Sequence, residues 1–259
     1  MTGLSPSRPT ITTSINAVVV ALLAPACAVC TDHLHEPLSG CVCRSCWRSI
    51  RPITPPICDS CGDPLSRPGT HCRDCSAQRS AVTRARAIGE YEGALREIIH
   101  ALKYAGRLSL AKPLASEMRV RGKDLLEDVD CVVPVPLHWR REHQRGFNQA
   151  REIARHLGPP VVCALVRRRA TRPQVELAAD HRRANVADAF GASRSWWRAP
   201  DIRGRKVLLI DDVSTTGATL DACARVLQLV GARSVHALTA ARVITRRPGR
   251  VLIPNPGSQ

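Results

Sequence analysis

Apolar residues recur at helical spacing between Glu92 and Tyr104. Leu95, Ile98, Ile99 and Leu102 fall at i, i+3, i+4 and i+7, one stripe of an amphipathic helix. Leu108 to Arg121 predicts a second helix, bent near Pro113. Apolar bursts of strand length follow at Cys131 to Val135, Val161 to Val166, Val207 to Ile210 and Ser234 to Thr239. Helices are expected between them, Gly146 to Leu157 closed by Gly158 and Leu220 to Val230 closed by Gly231. Continuous apolar strands alternating with helices predict an α/β domain, a parallel sheet with helices on both faces, beginning near Ser80-Ala81-Val82.

Upstream the pattern is different. Residues 27 to 75 contain one aromatic residue, Trp47, and nine of the chain's 12 cysteines. Eight of these form Cys-x-x-Cys pairs: Cys27/Cys30, Cys43/Cys46, Cys58/Cys61 and Cys72/Cys75. Such a turn presents two thiolates to one tetrahedral ion, and two turns close a site, so four pairs predict two structural Zn²⁺ ions. Sequential pairing leaves ordinary ribbon spans, and spacing leaves cross-braced pairing open. Cys41 is a spare thiol that makes the second pair ambiguous, with His33, His35 and His71 as substitutes. Four thiolates leave no open coordination position, which predicts a structural role, and each ion contributes roughly 10 to 16 kcal/mol of folding energy.

These shifts divide the chain into a leader with a short helix (1–26), a double zinc-ribbon module (27–78), the α/β domain (79–245) and a loose tail (246–259). The ribbon and the α/β domain are each expected to have a core of their own. The apolar run before Cys27 resembles a signal peptide. Its leader, however, carries only Arg8, Pro25 occupies the cleavage region, and Cys27 belongs to a pair. The run is too short to span a bilayer. Residues 14 to 24 are read as a short amphipathic or buried helix, with no stable membrane insertion, and the location as cytoplasmic.

Charge adds a further clue. The 259 residues carry 38 basic against 22 acidic side chains, a formal +16. Lysine occurs only at 103, 112, 123 and 206, so the other 34 basic residues are arginine. Eight thiolates and two Zn²⁺ would bring +16 to about +12. A polyanionic partner and a genome-wide arginine bias both explain such an excess.

The most specific chemistry follows Val207 to Ile210. Asp211 and Asp212 leave a buried strand as adjacent acceptors, suited to the 2′ and 3′ hydroxyls of a ribose. Ser214, Thr215, Thr216, Gly217, Ala218 and Thr219 then lead into a helix. Backbone N–H groups and hydroxyls there can wrap a 5′-phosphate, Gly217 supplying the dihedrals and the helix N-terminus the favourable field. This is read as a loop for phosphoribosyl pyrophosphate (PRPP). A strand-end acidic pair serving only as a helix cap is the plain alternative. The loop implies Mg²⁺ bridging pyrophosphate and ribose, and displacement of pyrophosphate at C1 by a nitrogen nucleophile.

Several stretches together resemble the ComF family, competence-associated proteins with a zinc ribbon ahead of a class I phosphoribosyltransferase domain. They are the cysteine pairs, Tyr91 to Arg96, Leu102-Lys103-Tyr104, Val133 to Leu137, Arg145 to Ala150, Arg172 to Phe190 and the Asp211 loop. The resemblance implies that Val135 and Pro136 belong to a pyrophosphate-facing loop. It implies that Arg145 (a candidate catalytic residue beside Asp211 and Asp212) and Asn148 line the same mouth, and that Arg167 to Arg183 closes over PRPP. An ordinary helix N-terminus and a solvated basic loop are the alternatives for these last two. It also implies a link to DNA uptake and its proteins. Three functions stay open: a phosphoribosyltransferase with an unidentified acceptor, a PRPP-responsive protein without turnover, and a competence factor that binds single-stranded DNA. For the third, Arg44, Arg48, Arg51, Arg79, Arg84 and Arg86 are the candidate contacts, while 3% aromatic content argues against stacking.

Overall fold

The computed structural model describes residues 11–78, 80–168, 189–193 and 202–244. The tail from 246, most of the 167–183 loop and Arg79 lie outside them. Helix α1 spans Ile11–Leu23, and the cysteine module carries the short helices α2 (Arg44–Arg48) and α3 (Arg73–Ala77). Then come β1 (Arg84–Glu90), α4 (Gly93–Tyr104), α5 (Ala111–Arg121), α6 (Lys123–Leu126), β2 (Cys131–Pro134), α7 (Trp139–Arg145) and α8 (Gln149–Ala154). The remainder is β3 (Leu165–Arg167), β4 (Phe190–Ala192), β5 (Lys206–Ser214), α9 (Ala218–Leu229) and β6 (Ser234–Arg242).

Four strands form a parallel sheet in the order β1-β6-β5-β2, and β3 and β4 pair separately as an antiparallel ribbon. Strand alternation sends Leu208, Ile210, Leu238 and Ala240 into one core with Ile98, Leu102, Leu114 and Ile153 of α4, α5 and α8. Val207, Leu209, Val235 and Ala237 enter the other, with Cys223, Ala224 and Leu227 of α9. The doubly covered parallel sheet predicted from the sequence is therefore present.

Several elements differ in detail. The predicted Gly146 to Leu157 helix is shorter, α8 from Gln149 to Ala154 capped by Asn148, and Gly146, with a left-handed φ of +78°, instead caps the preceding α7. Pro113 sits in the first turn of α5, where its missing N–H is not needed, and the predicted start at Leu108 is a 3-10 turn over Leu108–Leu110. Of Val161 to Val166, Val161 makes a single parallel bridge to Val132, and a strand resumes only at Leu165. Strand β1 escaped the sequence reading because Arg84, Arg86 and Glu90 interrupt its apolar run. It is an edge strand, and the cysteine module covers it: the N–H groups of Ala85 and Glu90 donate to the carbonyls of Ser60 (2.6 Å) and Arg51 (2.9 Å). A side chain at Gly89 would put its Cβ 2.5 Å from the Arg51 carbonyl oxygen.

The module also lacks a core of its own. Leu34, Val42 and Ile50 join the same cluster as Ile88, Leu95 and Ile98. Separate stabilising cores, expected from composition, are not what the chain builds. In α1 Asn16 is buried and accepts the Leu38 N–H at 3.1 Å, while Val18, Leu22 and Leu23 are exposed. Among the described residues no helix is long and apolar enough to cross a membrane.

Candidate functional site

Two cysteine tetrads form, Cys27/Cys30/Cys43/Cys46 and Cys58/Cys61/Cys72/Cys75, each with its four sulfurs within 4.8 Å of one another. Pairing is sequential, and the cross-braced alternative is ruled out. Cys27–Cys46, Cys30–Cys43 and Cys61–Cys72 have Sγ–Sγ separations of 3.9, 3.7 and 3.7 Å. A tetrahedron of thiolates about 2.3 Å from a central ion has edges of about 3.8 Å, whereas a disulfide needs about 2.05 Å. The sulfurs thus fit zinc. The N–H groups of Val29 (3.4 Å) and Cys43 (3.3 Å) donate to Cys27 Sγ. Cys41 belongs to neither tetrad, and its Sγ lies 3.8 Å from Ser109 Oγ.

Charge in the tetrads calls for a cation. The Ser45 hydroxyl and then the Cys46 N–H lower the Cys43 thiol to about 6, while burial and the neighbouring sulfurs push Cys46 up. In the second tetrad burial opposes ionisation of Cys58, but the N–H groups of Cys61 and Cys72 outweigh it and bring the thiol to about 7. Burial raises Cys75 to about 12. In each set some thiols are held low and others pushed up, a mixture that a divalent ion resolves.

The second centre lies at the carboxyl ends of the parallel strands, where open α/β sheets bind ligands. Strand β5 runs past Ile210, so Asp211 and Asp212 stand in the ladder rather than beyond it, with Asp211 paired in register to Thr239. The two carboxylates are not equivalent. Asp212 is 4% exposed and its Oδ2 lies 2.9 Å from Lys103 Nζ on α4. Asp211 Oδ1 accepts the Asp212 N–H at 2.9 Å, and burial, then the Asp212 charge, push its carboxyl up to about 7. Burial opposes the charge on Lys103, but Asp212 beside it wins and raises its pKa.

Beyond Ser214 the chain turns into α9. Gly217 takes φ +77° at the N-cap, and Thr216 Oγ1 accepts the Ala218 N–H at 3.4 Å. Among the described residues beyond its chain neighbours no atom lies within 4 Å of where a Gly217 Cβ would be, so backbone conformation demands glycine there. Thr215, Thr216, Ala218 and Thr219 are all half-buried around this turn.

Val135 continues the β2–β5 ladder through its N–H to the Ile210 carbonyl (2.9 Å), which sets Val135 and Pro136 beside Asp211. Asn148 does two things at once. Its Oδ1 caps α8 by accepting the N–H groups of Ala150 (2.9 Å) and Arg151 (3.3 Å), and its Nδ2 donates to the Val135 carbonyl (3.0 Å). Arg145 stacks its guanidinium 5.0 Å from the Tyr104 ring centre and donates to Gln149 Oε1 (3.1 Å), next to the helix that carries Lys103.

Lys103 and Tyr91 were not singled out as site residues from sequence, and Arg167 only as the first residue of the loop expected to close over PRPP. Tyr91, at the end of β1, shares a 2.9 Å hydrogen bond between its hydroxyl and His100 Nε2. Burial, and next the charge of Arg141, lower the Arg167 pKa, while the Asp211 charge opposes that shift. A signal for Lys103 was available: one of four lysines among 38 basic residues, inside an otherwise amphipathic helix, it marks a place where arginine was not used. Of the ribbon arginines, Arg51 and Arg84 pair with Glu92 and Asp124, and Arg86 donates to the carbonyls of Cys58, Asp59 and Ala85. Arg44 and Arg48 are exposed, although Arg44 lies 3.4 Å from Glu36.

The sequence matches the double zinc ribbon domain family over residues 18–76 and the phosphoribosyl transferase domain family over residues 143–250. Competence protein F of Haemophilus influenzae is 30% identical over 226 residues, 83% of this chain and 96% of the relative. The DNA utilization protein YhgH of Escherichia coli K12 is 30% identical over 78% of this chain and 91% of its own length. Competence protein ComFC of Bacillus subtilis is 30% identical over 78% of this chain and 84% of its own. The sheet of residues 84–242 is thus of phosphoribosyltransferase type, behind a double ribbon.

Proposed function

The chain belongs to the competence protein F family, which joins a double zinc ribbon to a phosphoribosyltransferase-type domain, and from that premise we propose that it binds PRPP and displaces its pyrophosphate. The observation that carries this reading is the turn at Gly217, left-handed at the head of a 12-residue helix and three residues beyond the strand that carries Asp211 and Asp212. Asp211 and Asp212 would accept from the ribose hydroxyls. Ser214, Thr215, Thr216, Gly217, Ala218 and Thr219 would hold the 5′-phosphate, and Val135 and Pro136 would face the pyrophosphate. A nitrogen lone pair forms the bond to C1 as the C1–O bond breaks. Its electrons leave on pyrophosphate, and the nitrogen proton passes to solvent.

Lys103 and Arg145 supply cationic charge beside the leaving group. Two adjacent carboxylates, one paired to Lys103 and the other raised by burial and by its neighbour's charge, form a donor set that fits a divalent cation. Mg²⁺, when bound, would neutralise pyrophosphate oxygens as charge develops. Reduced tetrads suit a cytoplasmic location. We place the boundaries of the functional units at 27, 79 and 246. The test is pyrophosphate release from PRPP, measured across a panel of nucleobases, amines and nucleic-acid fragments. Release with none of them, alongside tight PRPP binding, would favour a second reading. In that reading the chain is a non-catalytic, PRPP-responsive competence factor that binds single-stranded DNA, which the exposed Arg44 and Arg48 and the relatives' names support.

A further inference from the structure

The two knuckles are copies of one another. Pro25-x-Cys27-x-x-Cys30-x-Asp32-x-Leu34 repeats as Pro56-x-Cys58-x-x-Cys61-x-Asp63-x-Leu65. The backbone repeats with it: the Cys27 N–H donates to the Asp32 carbonyl (2.8 Å) and the Cys58 N–H to the Asp63 carbonyl (2.7 Å). Leu34 and Leu65 bond Pro25 and Pro56 in the same way. Thr31 and Gly62 occupy the same left-handed position, with φ of 64° and 72°. Each aspartate is therefore fixed by its main chain to a metal knuckle, which leaves its carboxylate to make a further contact.

The uses differ. Asp32 is exposed. Asp63 accepts from Nε of Arg242, a buried arginine at the end of β6, whose Nη1 donates to Ser214 Oγ at 3.3 Å. Ser214 is the register partner of Arg242 and is itself only 5% exposed. Its carbonyl accepts the Val243 N–H at 2.8 Å, and the next residues are the Thr215-Thr216-Gly217 turn. The second knuckle is seated rigidly against the sheet: Ser60 bonds Ala85, and a Cβ on Gly62 would meet the Ala85 carbonyl oxygen at 2.7 Å. A continuous path of main-chain and charge-assisted hydrogen bonds thus joins the second cysteine tetrad to the first residue of the phosphate turn.

We propose that Asp63 and Arg242 are positioning residues that set the phosphate turn through Ser214, so that metal in the second knuckle and PRPP in the turn bind cooperatively. This rests on the PRPP reading above. A knuckle without metal no longer holds the Asp63 main chain. Arg242 then loses its acceptor, and the Ser214 hydroxyl loses a fixed donor. Coupling between two binding events is reciprocal, so PRPP must in turn hold the second metal more tightly.

The test uses the full chain loaded with zinc. Zinc release to a zinc-selective chelator is followed with and without PRPP and Mg²⁺, in the wild type and in Asp63→Ala. In the wild type PRPP should slow one of two release phases by roughly fivefold or more and leave the other unchanged. In Asp63→Ala, PRPP affinity should fall by a similar factor and release should no longer respond to PRPP, with two zinc ions still bound before the chelator is added. Asp32→Ala, at the equivalent place in the first knuckle, should behave as the wild type. Equal PRPP affinity in Asp63→Ala, or wild-type release indifferent to bound PRPP, overturns the coupling while leaving the PRPP site standing. A wild type that binds no PRPP removes both.

Discussion

Lys103 Nζ stands 2.9 Å from Asp212 Oδ2, and the two side chains are only 14% and 6% exposed. A buried pair of this kind is costly to break from one side, because the remaining charge is left without compensation. Lys103→Met should destabilise the chain by about 3 kcal/mol, and adding Asp212→Asn should recover most of that loss. Urea unfolding of the two single variants and the double variant measures the coupling. A loss under about 1 kcal/mol in Lys103→Met, the level of an exposed pair, would show that the contact is a surface one in solution.

The Asp211 carboxyl, raised from 3.8 to about 7, makes PRPP affinity depend on pH. The free folded chain keeps a proton that the unfolded chain loses near 3.8. Stability of the free protein from this group therefore falls as pH rises through that window and levels off above about 7. A ligand with hydroxyl donors and a divalent cation favours the ionised carboxylate, so binding expels the proton below pH 7. Affinity should be about tenfold higher at pH 8 than at pH 6, beyond whatever change Asp211→Asn retains from ionisation of PRPP itself. An identical pH profile in Asp211→Asn would contradict this.

Metal analysis of protein purified without chelator should give two zinc ions per chain, one per tetrad. Because Leu34, Val42 and Ile50 pack in one cluster with Ile98 and Leu95, zinc removal should also loosen α4, not residues 27–75 alone. Hydrogen exchange before and after chelation reads this directly. Unchanged protection in residues 95–102 would mean that the shared cluster survives without metal.

Deleting residues 1–78 is a poor test of nucleic-acid binding, since it would bare the β1 edge and remove part of that cluster. Arg44→Gln with Arg48→Gln leaves the fold alone. If these exposed arginines touch single-stranded DNA, the double variant should flatten the slope of log affinity against log salt by about 1.4, near 0.7 per lost contact. An unchanged slope would assign the basic excess to other surfaces or to genomic composition.

The parallel sheet was legible because buried strands such as Val207 to Ile210 have no polar face to confuse their reading. The tetrads were legible because thiolate geometry is local. What escaped depended on tertiary context. Strand β1 hides behind Arg84 and Arg86, since an edge strand under the ribbon tolerates charge. The extension of β5 through Asp211 to Ser214 is imposed by pairing with β6, which no local pattern announces. Asp211 and Asp212 look alike in sequence, and only the approach of α4 makes one the partner of Lys103. Asn148 caps α8, the plain reading offered for it, and the other end of the same amide tethers the Val135 loop, which no local pattern announces.

PRPP binding by the Asp211 turn is tested most directly by calorimetric titration of PRPP with Mg²⁺ into the zinc-loaded full chain. The wild type should bind one PRPP per chain. Asp211→Asn with Asp212→Asn, its two zinc ions and its melting transition checked beforehand, should bind at least about tenfold more weakly, a loss of about 1.4 kcal/mol. Absence of saturable binding in the wild type, or the same affinity in the double variant, would contradict the assignment.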